Sequence, residues 1–188
     1  MLDLIHAAHV VAITGSVGSG KTTALIRLFG MLESNFSYVD LFTYERRFER
    51  DVQTMVPDKV SECTMYRVMD FDEVYEQTTS HEHRDNAMLI VDDLSVFNTN
   101  NPARLKKLVQ RYQKTLITQQ SSLTSLSLSP ITYGKVGLLE LVSTVVNNKC
   151  FLRCGELNVA LDDIIKYDKR RNCLNSLLKD ECPPDIYV

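Results

Sequence analysis

The sequence predicts an α/β fold, a doubly wound and mostly parallel sheet flanked by helices, and three observations carry that prediction. A glycine-rich segment lies between a short β-rich apolar run and a helical pattern, a wholly apolar run ends on two aspartates, and strand-like and helix-like patterns alternate along the chain. At 188 residues and 44% apolar composition the chain can bury one substantial core, so a single domain is expected, with no internal repeat.

The elements follow in order. "HVVAIT" (9–14) is a β-rich run that stops at glycine, and "TTALIRLFGMLE" then sets Ala24, Leu25, Leu28, Phe29 and Leu32 on one helical face. "FSYVDLFT" (36–43) reads as an alternating second strand, "TMYRVM" (64–69) as a weaker one, and Asp72 as the N-cap of a short helix. "AMLIVDD" (87–93) is apolar until its two carboxylates, the pattern of a central parallel strand covered on both faces. Asn98 to Pro102 make a turn, and "ARLKKLVQRYQ" then spaces Leu105, Leu108, Val109 and Tyr112 as a helix, with "TLITQQ" after it as a buried strand. Residues 121–135, rich in serine and threonine, read as an excursion of the loop type on which chemistry often sits. "STVVNNKCFLRC" ends in one more strand, and "ELNVALDDIIKY" is expected to be helical, with Leu157, Ala160, Leu161, Ile164 and Ile165 on one face. The expected organisation is a core over 1–168 and a C-terminal helical tail over 169–188 that frays after Pro183 and Pro184.

A net charge of −3 gives no global signature of a nucleic-acid coat, so any such contact must be local. Five cysteines without regular spacing, and an N-terminus with Asp3 in place of a basic stretch, imply a reducing, intracellular setting with no membrane span. Cys150 and Cys154 with His81 and His83 lack the spacing of a zinc ribbon or finger and read as buried thiols and a solvated loop.

"GSVGSGKTT" carries the chemistry. Gly15, Gly18, Gly20, Lys21 and Thr22 satisfy G-x-x-x-x-G-K-[ST] in the strand-to-helix context that the motif needs. Gly15, Ser16, Gly18, Ser19, Gly20, Lys21, Thr22 and Thr23 are the expected contacts to the phosphates of ATP, with backbone N–H groups aimed inward and the helix dipole behind them. Thr22 is expected to give its hydroxyl to Mg²⁺ and Asp92 to complete the metal site by orienting the waters around the ion, and Asp93 is placed to polarise an attacking water, with a reach one methylene shorter than glutamate. A GTPase would need Asp-x-x-Gly after its metal strand and Asn-Lys-x-Asp for guanine; neither is present, since Asp92 is followed by Asp93, Leu94 and Ser95, and "NNKC" runs on to Phe151. A nucleotide kinase would need an arginine-rich lid, yet 121–140 contain only Lys135. The remaining class is a P-loop ATPase with a mostly parallel RecA/ASCE-like sheet, in which an extra strand separates the two nucleotide-binding strands.

On "GSVGSGKT", "LIVDD", "KTLITQQS", "YG" at 133–134 and "STVVNNKCFLRC", the chain resembles the FtsK–HerA superfamily of DNA-pumping ATPases, poxvirus-type genome-packaging ATPases among them, over about residues 9–165. The resemblance implies ATP hydrolysis, a homo-oligomeric ring with ATP at each interface, and double-stranded DNA through its centre. It puts Gln119 where the family keeps a γ-phosphate sensor and Arg111 where it keeps an arginine finger for the neighbouring subunit, with Arg104 and Arg153 as rival fingers. Lacking the accessory domains of its cellular relatives, the chain looks like a bare motor core, the form used in viral packaging, where capsid vertex proteins supply the anchor. Lys106, Lys107, Lys169, Arg170 and Arg171 are the candidate DNA contacts. A conjugation or secretion coupling ATPase and a nucleotide-gated binding module with little hydrolysis remain open beside the packaging motor.

Overall fold

The computed structural model describes residues 1–32, 36–43, 46–55, 63–67, 75–76, 86–94, 102–120 and 137–180. The chain order is α1 (Leu2–Ala7), β1 (Val10–Thr14), α2 (Lys21–Leu32), β2 (Tyr38–Thr43), α3 (Arg46–Met55), β3 (Cys63–Arg67), β4 (Ala87–Val91), α4 (Pro102–Val109), β5 (Lys114–Gln119), β6 (Leu138–Val146), β7 (Lys149–Cys154), β8 (Leu157–Ala160) and α5 (Leu161–Asp180). Among the described residues, the eight strands join one sheet in the order β3-β2-β4-β5-β1-β6-β7-β8. Every pairing from β3 to β6 is parallel, and β7 and β8 add an antiparallel edge. This is the expected α/β architecture, with β5 as the extra strand between β1 and β4.

Strands buried on both faces need a layer on each side. On one side, alternate residues such as Val11, Ile13, Met88, Ile90, Leu116 and Leu141 pack with Leu25, Leu28, Phe29 and Leu32 of α2 and with Ile5, Phe48, Val52, Leu161 and Ile164. On the other, Val10, Ala12, Phe42, Leu89, Val91 and Ile117 pack under Leu105, Leu108, Val109 and Tyr112. The helical faces expected for α2 and α4 are therefore the ones buried, although Tyr112 lies just past the end of α4. The Tyr112 hydroxyl donates to Asp40 Oδ2 at 2.8 Å across the sheet, giving that buried carboxylate a partner.

Three expectations are corrected, and one element, α1, is additional to those expected. β2 does not alternate: Val39 to Thr43 are all buried because β3 and β4 flank it and both faces are covered. The short helix α1 carries no motif long enough for periodicity to reveal. β6 begins at Leu138, well before the serine at 143, and forms with β7 a hairpin turned at Asn147 and Asn148, whose φ values of 49° and 59° suit a tight turn between twisted strands. Leu157 to Ala160 are strand β8, paired with β7 around Gly155 at φ 57°, so the last helix starts at Leu161. That helix continues unbroken through residue 168 to Asp180.

Helix α1 is tied down at both ends. His6 Nε2 lies 3.0 Å from Asp168 Oδ1, and Arg171 pairs with Asp3, joining α1 to α5. Lys114, at the start of β5, donates its ammonium to the carbonyls of Ile5 and Ala8, satisfying groups that a helix end leaves open. Burial pushes the Lys114 ammonium down to a pKa of about 8. The expected N-cap at Asp72, the turn before Pro102, the excursion at 121–135, His81, His83 and the tail past 180 lie outside the described residues. Among the described residues, no helix is long and apolar enough to cross a membrane.

Candidate functional site

The site forms where β1, β4 and β5 all end. β1 delivers the chain at Thr14, and Gly15, Gly18 and Gly20 take φ values of 150°, 79° and 85°, turning it within six residues into α2. Positive φ at Gly18 and Gly20 is the conformation that a side chain resists. At Gly15 a Cβ would meet Ser19 Oγ at 2.6 Å and the Ser143 carbonyl oxygen at 2.7 Å; at Gly20 it would meet Val145 Cγ2 at 3.0 Å. The loop is closed behind and open in front, where a Cβ on Gly18 would meet nothing within 4 Å. Lys21 extends back over it and donates to the carbonyls of Gly15 at 2.9 Å and Ser16 at 2.8 Å, so its ammonium lies within the curl. Ser16, Gly18 and Thr23 are exposed on the loop and first helical turn, while Ser19 is buried. Among the described residues, the Ser19 hydroxyl oxygen is one of the buried polar atoms without a hydrogen-bond partner.

The acidic pair arrives beside this loop through β5. Thr22 Oγ1 donates to Asp92 Oδ1 at 3.2 Å, and Thr118 Oγ1 donates to the same oxygen at 2.8 Å. Thr118 also accepts the backbone N–H of Asp93 at 2.6 Å. Asp93 stands at φ 54°, a left-handed conformation that aspartate tolerates better than most residues, and it is half-buried at the mouth of the site. One threonine thus sets both aspartates. The Thr22 and Asp92 oxygens, 3.2 Å apart, fit a hard cation that takes oxygen ligands at about 2.1 Å and so spaces adjacent ligands about 3 Å apart. Both residues would hold Mg²⁺, the remaining ligands being phosphate and water.

Gln119 is buried at the end of β5 and is in register with Thr14, one residue before the glycine loop. The structure therefore brings together Lys21, Thr22, Asp92, Asp93 and Gln119. Arg111 lies elsewhere. It precedes the opposite end of β5, and the strand from Lys114 to Gln119 covers about 17 Å, well beyond the reach of a guanidinium in the same protomer. Its Cζ sits 5.1 Å from the centroid of Tyr75, with Arg104 at 5.6 Å from the same ring. Arg153 is exposed on β7. Cys150 and Cys154 are half-buried and unpaired as disulfides; burial raises the Cys150 thiol, opposed by its contact to Ser143.

Two hydroxyls of this site, Thr118 and Ser143, carry no motif in the sequence. The only signal at Thr118 is a polar residue on the side of a buried strand that faces α2.

No curated protein matches the chain. The family model of the AAA domain matches residues 2–119, from α1 through Gln119, which is more than half of the chain. Proteins of that family are nucleotide-hydrolysing, and the glycine loop, its lysine and the aspartates that follow β4 all fall inside the matched segment. With a β1–loop–α2 cradle, an acidic strand end and an intervening β5, this chain belongs to the AAA domain family of P-loop nucleoside triphosphatases.

Proposed function

We propose that the protein is an ATP-hydrolysing motor that translocates double-stranded DNA as a homo-oligomeric ring, in the manner of a viral genome-packaging ATPase anchored on capsid vertex proteins. The observation that carries the hydrolytic part is the placing of β5 between β1 and β4, with Gln119 beside Thr14 and Thr118 on Asp92. The motor reading rests on the resemblance of the glutamine strand and the asparagine hairpin to DNA-pumping ATPases.

In this reading the loop amides and Lys21 bind the β- and γ-phosphates, where preorganised donors do most of the work in phosphoryl transfer. Thr22 and Asp92 hold Mg²⁺, which when bound neutralises charge on the phosphate oxygens. Asp93 accepts a proton from the attacking water, and Gln119, able to donate and accept at once, orients that water against the terminal phosphoryl. Arg111, out of reach of its own site, serves as the finger to the next protomer, which couples closure of an interface to turnover. Lys107 on α4 is exposed, as are Lys169, Arg170 and Arg171 on α5, but the two helices cover opposite faces of the sheet. One DNA-facing surface therefore uses one set or the other.

The decisive measurement is ATP turnover with and without duplex DNA. A severalfold rise with DNA is expected; equal turnover would remove the motor reading and leave an ATPase. Arg111→Ala should retain ATP binding and lose hydrolysis, and mixing it with Asp93→Ala subunits should restore activity. If mixtures stay dead, Arg111 is not a finger acting between protomers. A nucleotide-gated binding module would show one slow turnover per site and no response to DNA, a result that the short reach of Asp93 would explain.

A further inference from the structure

We propose that Ser143 is a positioning residue of the phosphate loop, fixing the Ser19–Gly20 peptide so that its amide is presented to the nucleotide. The proposal rests on the nucleotide-binding reading of the loop and concerns a strand outside the segment matched by the AAA domain.

β1 stops at Thr14, paired with Val142, while β6 continues to Val146 and returns as β7. The hairpin therefore rises beyond the sheet edge directly behind the glycine loop. Ser143, the first residue past the last β1 pair, is 1% exposed. Its hydroxyl donates to the Ser19 carbonyl at 2.5 Å, and its own carbonyl fills the space where a side chain on Gly15 would lie. Farther along the hairpin, Val145 Cγ2 and Cys150 Sγ lie 3.0 and 3.3 Å from the Cβ position of Gly20. One hairpin thus touches the first, fifth and sixth residues of the loop.

The chemical consequence comes from peptide planarity. In a trans peptide the C=O and the following N–H point in opposite directions. Holding the Ser19 carbonyl toward β6 therefore turns the Gly20 N–H away from β6, toward the open side of the curl. Glycine at 20, at φ 85°, has no side chain to oppose rotation of that peptide. The Ser143 hydroxyl is the group that fixes the peptide's direction. Without it the amide is free to turn, and the cradle must be reordered each time a phosphate binds.

The test uses the full chain with Ser143→Ala, Ser143→Thr and, as a control in the same strand, Leu141→Val, a core change that does not touch the loop. Ser143→Ala should weaken binding of Mg-ATP and of a fluorescent ADP about tenfold, the equivalent of one buried hydrogen bond. Its KM should rise with it while kcat stays within about twofold, since the aspartates and Gln119 are untouched. Ser143→Thr should recover most of the affinity, and Leu141→Val should lower the melting temperature without changing Kd. Equal nucleotide affinity in wild type and Ser143→Ala, or a loss of kcat at unchanged KM, would overturn the proposal while leaving the nucleotide reading intact. Failure of wild-type protein to bind any nucleotide would sink that reading and this proposal together. If Ser143→Ala does not fold, Ser143→Cys, with a weaker donor of similar shape, carries the same comparison and the same refuting result.

Discussion

Two lysines give their ammonium groups to main-chain carbonyls at opposite edges of the sheet. Lys21 reaches Gly15 and Ser16 at the carboxyl edge, whereas Lys114 reaches Ile5 and Ala8 at the amino edge. The contacts look alike, but their surroundings differ. Lys114 is 3% exposed and closes a helix end, so its bonds are consumed by the fold. Lys21 lies in a curl of glycines open on one side, where an anion can take over the ammonium. The same division marks the two ends of β5: Lys114 anchors α1 at its start, and at its finish Thr118 bonds Asp92 while Gln119 stands beside Thr14 at the foot of the glycine loop. Buried polar groups at one edge stabilise; at the other they orient.

The comparison breaks most sharply at Lys21. Lys21→Ala should cut ATP turnover by about 10²–10³ through the loss of a preorganised cation, with little change in thermal stability. A large fall in melting temperature with turnover intact would reverse the assignment of the two edges. Thr118→Val, which keeps the shape but removes the hydroxyl from Asp92 and the Asp93 amide, should lower kcat about tenfold, as expected for a lost buried hydrogen bond to a charged group. Measuring kcat and Kd together tests this, because the loop itself is unaltered. Lys114→Met should cost about 1–3 kcal/mol of stability by leaving carbonyls at the α1 end without their donor, with nucleotide Kd unchanged; denaturant unfolding in parallel with binding checks it.

The smallest effect concerns pH. Burial lowers the Lys114 pKa from 10.5 to about 8, so between these values the unfolded chain holds a proton that the native chain has released. Stability from this group is therefore lowest below pH 8 and rises with pH, by about 1 kcal/mol at pH 9. The difference between wild type and Lys114→Met, measured at pH 7 and pH 9, isolates that contribution from other titrations. No change in the difference would mean that the ammonium is better satisfied than its burial suggests.

Much of the parallel half was legible because its signals are local. β1, α2, β4, α4 and β5 each announce themselves by an apolar run or a helical spacing, and the glycine loop follows from the spacing of its glycines, Lys21 and Thr22. The antiparallel edge was less so. Leu157, Ala160 and Leu161 fit a helical spacing, yet a four-residue segment next to a glycine turn is decided by its partner strand, and β7 makes it a strand. The orienting hydroxyls were hidden for a related reason. Thr118 finds Asp92 across 26 residues of chain and Ser143 finds Ser19 across 124, so neither pairing leaves a motif.

The place of β5 has one more consequence. Because it fills the slot between β1 and β4, the strands that deliver the glycine curl and the aspartates run two strand widths apart, about 10 Å, and the same ribbon of backbone is the ruler for both. A slip of that ribbon along its own axis would displace Gln119 from Thr14 and Thr118 from Asp92 in one stroke. Arg111, stacked on Tyr75, lies at the far end of that ruler.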